Sequence, residues 1–182
     1  MPTIVSHAVA ATALAAAFPA SVIPRGAILL ASMCAMAPDA DVIGSRFGIR
    51  YGDLLGHRGL SHSLAFAVCF SFAAWPAVFP SVVGAARRAA LWLYLLLATV
   101  SHGVLDAFTD GGLGVAFFSP FDPTRYFFPV RPIEVSPIGA AFFSVRGLAV
   151  LQSEFFWVWL PSLAFAALAF VVRRAFNSHQ QA

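Results

Sequence analysis

Residues 88–106 read RAALWLYLLLATVSHGVLD. After Arg88 no charge appears until Asp106. A membrane crossing needs about 20 residues at 1.5 Å each, and this stretch is long enough. His102 and Asp106, spaced i, i+4, project from one face of that helix near its end. A spanning helix that carries an imidazole and a carboxylate at one end raises the question of what else the chain brings there.

The rest of the chain is as apolar. Its 182 residues are 60% hydrophobic and 10% charged, with a mean hydropathy of +0.82. A soluble domain carries roughly 25% charge, so a water-soluble globule is excluded, and the apolar content excludes disorder. The charged residues are eight acids and eleven arginines, with no lysine and a net charge of +3. No basic run marks a nucleic-acid groove, so no nucleic-acid partner is expected. Cys34 and Cys69 lie in apolar runs and read as small buried hydrophobes.

Five apolar stretches stand out, at 4–20, 26–37, 61–83, 88–106 and 155–176. The expected fold is all-α, a polytopic helical membrane protein forming a single domain over 1–182. The last three stretches are long enough to cross. The first two are short, separated by Pro19 and Pro24, and fit either two tilted crossings or a re-entrant hairpin. The first lacks a basic region ahead of it and is read as part of the fold, not as a signal peptide. Residues 39–60, with five glycines and six charges, form a polar connection. Residues 107–154 are rich in Gly, Pro and Phe, and the steps Ser119-Pro120, Asp122-Pro123, Phe128-Pro129 and Arg131-Pro132 predict an irregular but structured loop. Within it, 138–151 is apolar around Arg146 and fits a short interfacial helix.

Helices alternate direction across a bilayer. The start of the first segment (His7), the end of the second (Asp39, Asp41), the start of the third (His57 to Ser63) and the end of the fourth (His102, Asp106) therefore share one face. The outcome is the same whether the first pair crosses or turns back. His179 falls on the other face. Ionisable groups at membrane helix ends are costly unless paired or hydrated. Three acids and four histidines together point to a divalent cation, most simply zinc, with Mn, Fe or Ni as alternatives. The expected ligands are Asp39, Asp41, His57, His62, His102 and Asp106, with His7 as a weaker candidate. The bland readings are a helix stop for Pro-Asp-Ala-Asp, an N-cap for Ser61 and lipid-headgroup snorkelling for Arg58.

PDAD (38–41), HRGLSHS (57–63) and HGVLD (102–106) followed by Thr109 resemble the YdjM-like membrane-bound metal-dependent hydrolases. Asp110-Gly111-Gly112 and Ser119-Pro120-Phe121 fit the loop that follows in that family. The likeness covers roughly residues 1–140, and HRGLSHS is its most specific part. The family is similar to zinc-dependent phospholipase C enzymes in its metal-ligand pattern. The resemblance implies a helical membrane protein with a divalent-metal site and hydrolase activity.

Six candidate ligands exceed the three that a mononuclear catalytic zinc site uses, so one or two ions are expected. Asp41 is an alternative general base, Arg58 a holder of substrate phosphate or carboxylate. Ser61, Ser63 and Thr109 are expected to hydrogen-bond the site from behind. A site at the membrane surface favours a lipid or lipid-linked small-molecule substrate, covered by a loop bearing Phe117, Phe118, Phe121, Phe127 and Phe128. The competing readings are a structural metal staple and, less favoured because the middles of the last three spans carry no ionisable group, an ion transporter. The compact pairs Arg87-Arg88 and Arg173-Arg174, with Arg25, lie on the other face and place the site on the non-cytoplasmic side of a bacterial inner membrane.

Overall fold

The computed structural model describes residues 1–24, 26–137 and 139–179, with no side chains at 177–179. Arg25 and the side chain of His179 thus lie outside the described residues, as does Ile138 at the start of the expected interfacial helix. The helices are α1 (Ile4–Leu14), α2 (Ala27–Met36), α3 (Leu64–Val78), α4 (Ala85–Ala107), α5 (Val145–Glu154) and α6 (Leu160–His179). Among the described residues there is no strand, only the isolated bridges Thr109–Ile133 and Val115–Tyr126.

Among the described residues, three helical stretches are long and apolar enough to cross a membrane: Ala27–Phe47, Ala85–Ala107 and Val145–Phe176. Ile4–Ala17 and Leu64–Val78 are shorter apolar helices. This set differs from the expected one. The second segment, read as short, continues past Met36 as a 3-10 helix, Ala37–Phe47, so that Asp39 and Asp41 lie within helical backbone. The third, read as a full crossing, starts at Leu64 and ends after Val78. The expected interfacial helix and the last span are one continuous rod, because Val145–Glu154 runs through a π turn at Phe155–Trp159 directly into α6.

The π turn has a packing reason. In an α-helix, residues five apart diverge by about 140°. The wider turn brings Glu154 and Trp159 to the same side, and both reach the start of α1. Glu154 is fully buried and accepts from the Thr3 amide at 2.5 Å, Thr3 Oγ1 at 2.6 Å and Ser6 Oγ at 2.7 Å. The Trp159 indole donates to Ser6 Oγ at 2.7 Å. Elsewhere the last helix faces outward: only 6% of its most apolar window is buried, so lipid must solvate it.

The tight core lies between α1, α2 and α4. Ala27, Ala31 and Ala35 repeat every four residues along one face of α2, and all three are fully buried. Such a stripe lets helix backbones approach closely, the usual basis of packing in membranes. Leu91, Tyr94, Leu95 and Ala98 of α4 fill the opposing face, and Tyr94 Oη donates to Ala11 O at 3.0 Å. The loop after α4 folds back over this end. Its amides reach Arg58 O from Ala116 at 3.0 Å and Ala107 O from Phe128 at 3.0 Å, and Phe117 O accepts from Leu64 N at 2.9 Å.

A candidate metal centre

Three elements meet at one end of the core. Asp39 comes from the 3-10 extension of α2, His62 from the turn before α3, and His102 and Asp106 from the last turns of α4. All four are buried, from 0% exposed at His102 and Asp106 to 5% at His62 and 7% at Asp39. One ligand atom from each lies within 4.8 Å of the others.

The separations have a definite pattern. His102 Nε2 is 3.0 Å from His62 Nε2 and 3.3 Å from Asp39 Oδ1. His62 Nε2 is 3.6 Å from Asp39 Oδ1 and 3.4 Å from Asp106 Oδ2. His102 Nε2 is 3.9 Å from Asp106 Oδ2. Ligands at 2.0–2.1 Å from a tetrahedral zinc ion would sit about 3.3–3.4 Å apart. Both oxygens of Asp39 are buried without a hydrogen-bond partner. Such a carboxylate needs a cation, and the donor set of two imidazoles and two carboxylates suits a divalent one.

The tautomers follow from the neighbours. His102 Nδ1 lies 2.6 Å from Ala35 O. A carbonyl only accepts, so Nδ1 carries the proton and Nε2 presents its lone pair. Ala35 sits in the last turn of α2, where carbonyls lose their i+4 donors. The alanine stripe brings that carbonyl within reach of α4. His62 Nδ1 faces Asp41 Oδ2 at 3.2 Å and Ser61 Oγ at 3.0 Å, which turns its Nε2 inward as well. Gly103 keeps the approach open, because a Cβ there would lie 3.0 Å from His62 O. Burial alone would lower the pKa of His62, but the carboxylates of Asp106, Asp39 and Asp41 outweigh it and raise the value to about 10. Proton and metal ion compete for the same lone pair.

Asp41 and His57 stand one layer out. Asp41 Oδ1 pairs with His57 Nδ1 at 2.7 Å. Its Oδ2 accepts from Ser61 Oγ at 2.5 Å and from the Arg58 amide at 3.3 Å. Asp41, His57 and His62 form a second group within 4.8 Å. It shares His62 with the first; Asp41 and His57 are already joined by a hydrogen bond, and His62 pairs with Asp41. Asp41 and His57 line a small cavity of about 130 Å³ with Tyr51 and Gly56.

Arg58 turns inward and is wholly buried. Its Nε forms an ion pair with Asp106 Oδ2 at 3.0 Å, without the alignment of a hydrogen bond. Nη1 donates to Gly111 O at 2.8 Å and Nη2 to Thr109 Oγ1 at 2.9 Å. Its φ of 61° is in the left-handed region, which costs a non-glycine residue about 1–2 kcal/mol. Gly112 makes room for the guanidinium: a Cβ there would meet Arg58 Nη1 at 2.8 Å. Thr109 thus acts on the site through Arg58. Ser63 does not touch an imidazole in this structure; its side chain caps α3 by accepting from Phe66 N at 3.0 Å. His7 is fully buried and stacks on His102, ring centroids 3.8 Å apart. Of the loop aromatics, Phe128 stacks on Phe108 at 4.2 Å and Phe121 stands out at 87% exposure.

Sequence reasoning missed Glu154, Tyr51 and Arg125. Glu154 was marked by its place, a lone acid at the edge of a long apolar run. Arg125, whose guanidinium donates to His57 O at 3.0 Å and Tyr51 O at 3.1 Å, carried no local signal.

A family model described as "YdjM inner membrane protein" matches residues 1–178. The chain belongs to the YdjM inner membrane protein family. It is also 35% identical over 178 residues to "Inner membrane protein YbcI" of Escherichia coli (strain K12), covering 96% of this chain and 100% of that protein. No solved structure matches. Family membership and the apolar helices make this YdjM-family chain an integral inner membrane protein.

Proposed function

We propose that this YdjM-family protein is a membrane-bound metal-dependent hydrolase, with zinc as its ion, acting on a phosphoester or other ester of a lipid or lipid-linked substrate. The observation that carries the reading is the convergence of His62 Nε2 and His102 Nε2 to 3.0 Å beside two unpartnered oxygens of Asp39. Two imidazole lone pairs and a carboxylate without a hydrogen-bond partner repel one another unless a cation, a proton or a metal ion, joins them. When bound, a divalent ion supplies Lewis-acid polarisation and activation of water at neutral pH.

The chain's own residues divide the work. Asp39, His62, His102 and Asp106 hold the ion. Arg58 and Thr109 position Asp106, so a substrate oxyanion must find other donors. Asp41 accepts from Ser61 and from the ring of His57, and it holds His57 with the proton on Nδ1. Nε2 of His57 then takes or gives a proton beside the small cavity. The Arg87-Arg88 and Arg173-Arg174 pairs at the opposite end support a site on the non-cytoplasmic face.

One observation favours a structural staple instead: four protein ligands with at most 7% exposure resemble a closed site. Metal analysis and turnover separate the two. Full-length protein in detergent is expected to bind metal and to cleave lipid phosphoesters in a chelator-sensitive way, and His62→Ala with His102→Ala is expected to lose both. Equal metal in wild type and double variant would remove the ligand assignment. Bound metal with no ester cleavage would support the staple.

A further inference from the structure

Asp106 offers one oxygen to the centre just described, and its other oxygen points elsewhere. Oδ2 takes the ion pair with Arg58 and faces His62 and His102. Oδ1 is buried, has no hydrogen-bond partner, and lies 3.9 Å from His7 Nε2. His7 is itself fully buried, and neither of its ring nitrogens has a partner. Three polar atoms thus go unmet in one place, on two side chains that face each other. Buried polar groups in native proteins are nearly always satisfied.

The gap of 3.9 Å is too long for a hydrogen bond. It can be spanned by two bonds of about 2.0–2.1 Å to a shared ion. His7 is also held where it is. Its helix is capped by Thr3, and Thr3 and Ser6 are bound to the buried Glu154. Its ring is braced against His102, tilted by 17°. The Asp41, His57 and His62 group is the other place for an additional ion, but its atoms already satisfy one another at 2.7 and 3.2 Å.

We infer that His7 Nε2 and Asp106 Oδ1 hold a second divalent cation, with the Asp106 carboxylate bridging it to the first. The inference rests on the metal centre proposed above. This second ion has two protein ligands against the four of the first, so it binds more weakly than the first.

The test is metal stoichiometry of full-length protein in detergent, dialysed against Zn²⁺ over a range of concentrations. Wild type is expected to bind two ions per chain, one at least tenfold tighter than the other. His7→Gln is expected to lose the weak ion and keep the tight one. One ion in both proteins would overturn the inference and leave the first centre standing; a water bridge then satisfies His7. No ion in either would overturn both. A second readout needs no variant. Wild type loaded with Mn²⁺ to saturation is expected to show the exchange-coupled electron paramagnetic resonance signal of two ions sharing a carboxylate. An uncoupled six-line spectrum at saturation would overturn the inference even if His7→Gln fails to fold.

Discussion

His62 is ringed by three carboxylates, and that sets how the site responds to pH. Its pKa in the folded, metal-free protein is about 10, against an ordinary 6.5. A group raised on folding stabilises the protein fully below its unfolded pKa and loses that contribution as pH climbs through the folded one. Chelator-stripped protein is therefore expected to lose apparent melting temperature between pH 6.5 and 10. Zinc affinity should move the other way, rising up to tenfold per pH unit over the same range as the competing proton leaves. A thermal-shift series with and without Zn²⁺ checks both, and a flat profile in the stripped protein would remove His62 from the charged nest. Arg58 is the second residue with a sharp expectation. It and Asp106 form a wholly buried pair, and removing one partner of such a pair costs about 3–5 kcal/mol. Arg58→Ala should lower stability by that order and reduce metal content, whereas Arg50→Ala, whose side chain is 86% exposed, should do neither.

The alanine stripe of α2 sets the distance between that helix and α4. Ala31→Leu introduces side-chain volume where none fits, at about 1–3 kcal/mol. It should also move Ala35 O away from His102 and weaken metal binding. Leu29→Ala, at a position 68% exposed, is the control and should leave metal content unchanged. The π turn makes a different prediction. Because Glu154 and Trp159 are five residues apart, deleting Phe156 leaves them four apart, still on one face of an ordinary α-helix. The deletion protein should remain monodisperse in detergent. Deleting Leu163 instead rotates all that follows by about 100° and should break the contact of Arg173 with Phe18 O. If the Phe156 deletion aggregates and the Leu163 deletion does not, the bulge has another role.

Glu154 ties the first helix to the last across the whole chain, three donors on one buried carboxylate. Glu154→Ala strands those donors, at about 1–3 kcal/mol each where they stay buried, and should loosen α1 and with it His7. The two ends of the molecule differ in kind. One gathers carboxylates and imidazoles under the folded-back loop, and the other carries the compact arginine pairs. Cysteines placed at Asp122 and at Ser21, in a Cys69→Ser background, report which end faces out. A membrane-impermeant thiol reagent added to intact cells is expected to label the first and spare the second; the reverse pattern would invert the orientation.

Hydropathy alone determined that the chain is a helical membrane protein, because an apolar run of sufficient length has no other stable form in water or lipid. The alternation of helices with the placing of His7, Asp39, His62, His102 and Asp106 at segment ends was enough to forecast a shared polar cluster. Helix lengths were less readable. The Pro-Asp-Ala-Asp stretch reads as a stop, yet its backbone stays helical, and α3 ends after Val78 although the apolar run continues to residue 83. Local pattern also could not sort ligand from support. Asp39 and Asp41 are two residues apart and identical in type, and so are the two histidines of HRGLSHS in the chemistry they offer. Tertiary packing separated them, since Asp39 turns into a buried gap beside His62 and His102 with no hydrogen-bond partner, while Asp41 meets Ser61, His57 and His62. It alone turned Arg58 inward, where the space beside Gly112 and the charge of Asp106 hold it. A side chain's role here depends on which neighbours saturate its polar atoms, and those neighbours come from segments far apart in the chain.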